Sequence, residues 1–187
     1  MKKILSLTTT IVLLLGLTAC NDVESSEYNQ TVADATCNML ADYYQGMRTA
    51  DFDLTFSHFP QFYRDTIADE LEYYGGTEDE YISEDNASWY DENYGEDATI
   101  SIEVTNTELM KSSVTKKYNK LLVSLYQDDD TTIDTVYTVD VDKTISGSTA
   151  TDTIQEEWTI LEIDSQYYLY DTYFEDIANA NTSTSQQ

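Results

Sequence analysis

Apolar positions recur every three to four residues through the first half of the chain and every second residue through most of the second half. Val32, Ala35, Met39, Tyr43 and Met47 keep helical spacing, with Leu40 and Tyr44 beside them, and predict an amphipathic helix to about Thr49. Thr31, with Asp34 three residues on, is its expected N-cap. Phe52, Phe56 and Phe59 add a brief apolar turn that stops at Pro60, the single proline. Proline suits the first turn of a helix, so a second helix begins there. Tyr63, Ile67, Leu71 and Tyr74 line one of its faces, and Gly75-Gly76 supplies a left-handed stop. Thr77 and Glu80 repeat the capping spacing and open a third, weaker helix carrying Tyr81, Ile82 and Trp89, closed near Tyr94-Gly95.

From Asp97 the period is two. Ile100, Ile102 and Val104 alternate with Ser101 and Glu103, a strand with one wet face. Ser112 or Ser113 starts a helix whose buried stripe is Val114, Tyr118, Leu121, Leu122 and Leu125, and Asp128-Asp129-Asp130 ends it. Three strands follow, Ile133 to Ile145, Thr151 to Ile163 and Tyr167 to Phe174, joined by turns at Gly147-Ser148 and Asp164-Ser165. This order predicts an α+β domain, with N-terminal helices packed on a curved antiparallel four-stranded sheet.

The amino-terminal segment follows another plan. Lys2 and Lys3 precede an apolar run from Ile4 to Leu17 that is too short for a membrane span of about 20 residues and has the layout of a secretory signal. The run ends in Leu17-Thr18-Ala19-Cys20, which resembles the lipobox of bacterial lipoproteins. That resemblance implies cleavage before Cys20 and a diacylglycerol on its sulfur. Two acyl chains anchor stably where one is marginal, so the membrane is an expected partner, touched but not crossed. The chain then divides into a signal (1–19), a tether (20–30), a single domain (31–178) and a disordered tail (179–187).

Removing residues 1–19 of the 187 leaves 168, enough for one core. With Cys20 lipidated, Cys37 has no disulfide partner and is expected to pack as a small hydrophobe on the first helix. Acidic residues number 36 against nine basic ones, a net charge of −27, which becomes −29 when Lys2 and Lys3 leave. Such a surface repels phosphate backbones and anionic headgroups, which excludes nucleic acid as a partner.

The first helix running into Ala50-Asp51-Phe52-Asp53, the segment Phe59-Pro60-Gln61-Phe62-Tyr63 and the closing hairpin from Leu161 to Leu169 together resemble NTF2-like or cystatin-like domains of small bacterial lipoproteins. Ser165 and Tyr167 stand where that hairpin usually carries glycine and tryptophan. The resemblance implies a cone-shaped pocket between sheet and helices, in a family holding isomerases, dehydratases, transport factors and modules without known activity.

Candidate chemistry is sparse. His58, the only histidine, would have to face a pocket beside a tyrosine or acid to serve as a base, and a surface or kink role fits it better. One histidine and one thiol leave no zinc ligand set. Asp128, Asp129, Asp130 and Asp134 lack the spaced oxygens and glycine of a calcium loop, as do Glu78, Asp79 and Glu80, so no metal and no cofactor are expected. Sixteen tyrosines and two tryptophans offer stacking surfaces, with Tyr43, Phe59, Tyr63, Trp89, Trp158 and Tyr168 as candidate pocket or stacking residues. Aromatic residues are also favoured in strands, so sheet packing competes with that role. Lys111, Lys116, Lys117 and Lys120 lie opposite Leu121 and Leu125 and offset the surrounding acid. No nucleophile motif, phosphate loop or repeat is present. These features favour a non-enzymatic, lipid-anchored module of the cell envelope that binds a small molecule, peptide or envelope protein. An NTF2-like pocket enzyme and an acidic, cation-binding spacer are the alternatives.

Overall fold

The protein is described here by a computed structural model over residues 23–82 and 84–173. The expected signal, Cys20, Phe174 and the expected tail lie outside the described residues.

Val23–Ser25 forms β1 and Gln30–Thr49 forms α1. The N-cap of α1 is Asn29 and not Thr31: its side-chain oxygen accepts from the backbone N–H groups of Thr31 and Val32 at 3.1 and 3.3 Å. A carboxamide just outside the helix reaches the first unpaired donors, whereas Thr31 is already inside it. Asp51 caps α2, Phe52–Phe56, through Leu54 N–H at 2.9 Å. Pro60 occupies the N-cap position of α3, Gln61–Tyr74, without a side-chain bond, and the helix ends at left-handed Gly75. The expected third helix is two pieces, α4 (Glu78–Tyr81) and α5 (Glu84–Tyr94).

β2 (Thr99–Met110), α6 (Ser112–Ser124), β3 (Thr135–Ser146), β4 (Thr151–Ile163) and β5 (Gln166–Tyr170) complete the order. The sheet is antiparallel throughout, in the order β1-β2-β3-β4-β5. Among the described residues it has five strands, not four. The fifth comes from the expected tether: Val23 lies opposite Met110 and Ser25 opposite Leu109. β2 continues past a register shift between Val104 and Asn106, and that added length gives β1 an edge to pair with. The meander expected in β3 to β5 is present, and Asp164 and Ser165 take positive φ at 51° and 63°, as a two-residue hairpin turn requires.

Register assigns Ile102, Val104, Val139, Val141, Trp158, Ile160 and Leu169 to one face. α1 covers it: Cys37 Sγ lies 3.8 Å from the Ile102 carbonyl, and Tyr43 meets Trp158. α6 packs elsewhere, where Tyr118 meets Tyr170, a residue that register turns to the face opposite Leu169. Asn119 holds α6 in place by bonding both the N–H and the C=O of Ile133 at 2.9 Å. The main core runs through Val32, Leu40, Phe59, Ile67, Val139, Ile160 and Leu169, all at 2% exposure or less. Among the described residues no helix is long and apolar enough to cross a membrane.

Candidate functional site

Alternation along β3 carries Val139, Val141, Lys143 and Ile145 to the face under α1, so one lysine stands in an apolar row. On β4 the same face carries Trp158, Glu156 and Ile154. Glu156 is opposite Val141 and Lys143 opposite Ile154, so the two charges are diagonal neighbours, within reach of long side chains. The Lys143 ammonium donates to one oxygen of Glu156, and the Tyr44 hydroxyl donates to the other. Trp158 Nε1 donates to that second oxygen at 3.1 Å. The ammonium also sits 4.3 Å from the centre of the Tyr44 ring, a cation–π contact.

Side-chain exposure is 10% for Lys143 and 23% for Glu156, so both charges are largely withdrawn from water. Withdrawal of that kind is tolerated only when each charge is paired and its remaining bonding capacity is used. Burial, then the charge of Glu156 and the bond to it, push the Tyr44 phenol well above its ordinary range. Tyr44 therefore remains a neutral donor. Tyr43 is raised for the same first reason, with Asp171 and Glu156 adding to it. Both carboxylate oxygens of Glu156 are engaged by protein donors, which makes it an anchor between α1 and the sheet.

The six aromatic candidates divide. Trp158 and Tyr43 are 5.3 Å apart, Tyr43 and Phe59 5.9 Å, Phe59 and Tyr63 4.9 Å, a continuous stack. Phe59 and Tyr63 are only 2% and 3% exposed, so that end of the stack fills the interior between α1, α3 and the sheet, while Tyr43 and Trp158 are half-buried at its other end. Trp89 stands apart on α5, against Tyr90 and Tyr94. Tyr168 is half-buried on β5 and donates to Gln166 at 2.8 Å. Spacing along the sequence does not single out Tyr44, Lys143 or Glu156. The available signal was a lysine and a glutamate on the apolar parity of two strands joined by a hairpin.

His58 Nε2 lies 2.8 Å from Asp42, and the His58 carbonyl accepts the Leu169 N–H at 2.9 Å. The first contact ties the loop before α3 to α1, and the second fastens the free edge of β5 to that loop. Asp128 Oδ1 accepts from Asp130 and Thr131 N–H groups at 3.0 Å, a local turn. A shallow groove of about 380 Å³ includes Asp140, Asp142 and Glu157 in its lining. Glu157 lies opposite Asp140, and its carboxyl is raised by burial and then by the charges of Asp140 and Glu108. Among the described residues no cluster of histidine, cysteine or carboxylate side chains could hold a metal ion.

Among the described residues, the most exposed aromatic groups are at the end of α3. Tyr74, expected on the buried stripe, is 75% exposed and Tyr73 82%, their rings 4.9 Å apart and nearly perpendicular. The helix outruns the core it covers, so its last turn projects into solvent. Tyr173 is close by at 46% exposure, its phenol raised by burial and then by Glu70 and Tyr74.

Compared with known proteins, the chain matches no family model, no curated protein and no solved structure.

Proposed function

We propose that this protein is a non-catalytic binding module of the bacterial cell envelope, held on an extracytoplasmic membrane face by a lipid on Cys20. Its contact surface is the tyrosine group at the end of α3. The observation that carries this reading is the exposure of Tyr73 and Tyr74 side by side, while Phe59 and Tyr63 are consumed in the core and Tyr43 and Trp158 are half-buried against it. Adjacent exposed tyrosines offer large apolar area at low entropic cost, with hydroxyls for orientation, and suit glycan or peptide stacking. An NTF2-like or cystatin-like assignment belongs to the same proposal, supported by a long helix laid on one face of a sequentially ordered antiparallel sheet.

One observation favours a pocket enzyme instead: a part-buried carboxylate, Glu156, bonded to a tyrosine hydroxyl, Tyr44. Its engagement by three protein donors, which hold both oxygens in place between α1 and the sheet, weighs against a role in proton transfer. The test is a glycan and peptide array probed with the full chain and with Tyr73→Ala/Tyr74→Ala. A ligand retained by the wild type and weakened at least tenfold by the double variant, at unchanged melting temperature, is the expected result. A ligand held equally by both proteins would remove the tyrosine surface from the proposal.

A further inference from the structure

We infer that the exposed face of α6 is a second membrane contact, seating the domain on anionic lipid headgroups beside the acylated Cys20. The inference rests on the lipid-anchor reading above. Its geometric basis is the β1–β2 pairing, in which Val23 lies opposite Met110 and Lys111, the N-cap of α6, follows at once. Cys20 is three residues upstream of Val23, and three extended residues span at most about 11 Å. The acyl chains therefore leave the domain close to the end from which α6 starts.

Charge distribution singles out the same helix. Of the nine basic residues, Lys2 and Lys3 fall in the expected signal. Arg48 donates to the carbonyls of Ala98 and Glu96, Arg64 to the Gln61 side chain and Lys143 to Glu156. The remaining four, Lys111, Lys116, Lys117 and Lys120, are all exposed at the start of α6 or along it. From Lys111 to Gln127 there is no acidic residue, in a chain that has 36. No ion pair engages Lys116, Lys117 or Lys120 among the described residues. Val123, 57% exposed, extends the Lys116-Lys120 row by one helical step. Ammonium groups on the outer face of the helix, beside one exposed aliphatic side chain, supply electrostatic attraction to anionic headgroups.

The bilayer is the occupant because the chain is tied to it. Tethering raises the local concentration of headgroups around α6, so weak individual contacts suffice. Asp22, Glu24 and Glu27 near the anchor and Asp128-Asp129-Asp130 after the helix oppose the attraction, so the contact is confined to the Lys116-Lys117-Lys120 face. An acidic domain repelled by anionic lipid in most orientations has one favourable orientation, with α6 toward the membrane and the acidic surfaces away from it.

The experiment uses the full chain expressed with its leader, its N-terminal mass measured, then reconstituted in phosphatidylglycerol or in phosphatidylcholine vesicles. Amide hydrogen exchange over residues 111–127 should be slower on phosphatidylglycerol than on phosphatidylcholine. High salt should erase the difference, as should Lys116→Gln/Lys117→Gln/Lys120→Gln. Equal exchange on the two lipids, in protein whose mass shows the diacylglycerol, would overturn the inference and leave the anchor standing. Slowing by added soluble polyphosphate but by neither lipid would also overturn it, assigning the lysines to a free polyanion. A mass showing an unmodified Cys20 would overturn the anchor reading. Flotation of that unanchored chain with phosphatidylglycerol vesicles then decides α6 on its own: binding weakened about fivefold per lysine neutralised supports the contact, and no binding ends it.

Discussion

The Lys143 ammonium lies 4.3 Å from the centre of the Tyr44 ring while both side chains donate to Glu156. One lysine thereby joins β3, β4 and α1. Lys143→Met should cost about 3 kcal/mol, the low end for breaking a buried pair because Glu156 keeps partial access to water. Adding Glu156→Gln should recover part of the loss, since a neutral amide oxygen still accepts from Tyr44 and Trp158. Urea unfolding of the two variants measures this, and losses that simply add would refute the coupling.

Alkali should unfold the protein through its buried phenols. Burial pushes Tyr81 and Tyr90 up to about 12, and Tyr43, Tyr44 and Tyr63 are raised further. A raised folded-state pKa means the native state holds protons that the unfolded chain releases, so this contribution is complete below about pH 10 and shrinks as pH rises toward 12 and beyond. Phenolate absorbance should therefore show a late, cooperative step coincident with loss of secondary structure. A titration that finishes while the circular dichroism is still native would contradict the burial of these hydroxyls.

Gly46 lies where α1 passes α2. A Cβ there would fall 2.5 Å from Thr55 N and press on its hydroxyl, and the N–H belongs to a helix whose position is set by the Asp51 cap. Ala is the better helix former by up to about 1 kcal/mol, yet Gly46→Ala should destabilise by about 2 kcal/mol because backbone must move. Thermal melting decides the sign. A stabilised variant would mean that α1 and α2 separate without cost.

Much of the element order was legible. Period 3.6 marks α1, period two marks the start of β2, and Gly75 and the Asp164-Ser165 turn stop their elements where the chain stops them. β1 was not legible, since three residues carry no period and Val23 becomes a strand only because Met110 is there to pair with. The exposure of Tyr74 was hidden for a similar reason: helical spacing assigns it to a face, but not to a length of core beneath that face.

The amino-acid sequence by itself determined the types and order of most elements, the acidic balance and the concentration of lysines around α6, because periodicity, turn chemistry and charge are local. Tertiary structure alone decided that Lys143, Glu156 and Tyr44 meet, that the aromatic stack is filled and Tyr73 and Tyr74 are not covered, and that β1 pairs at the entrance to α6. Those are relations across strand register and between layers, between residues up to 112 positions apart. A pattern of neighbours along the chain does not contain them.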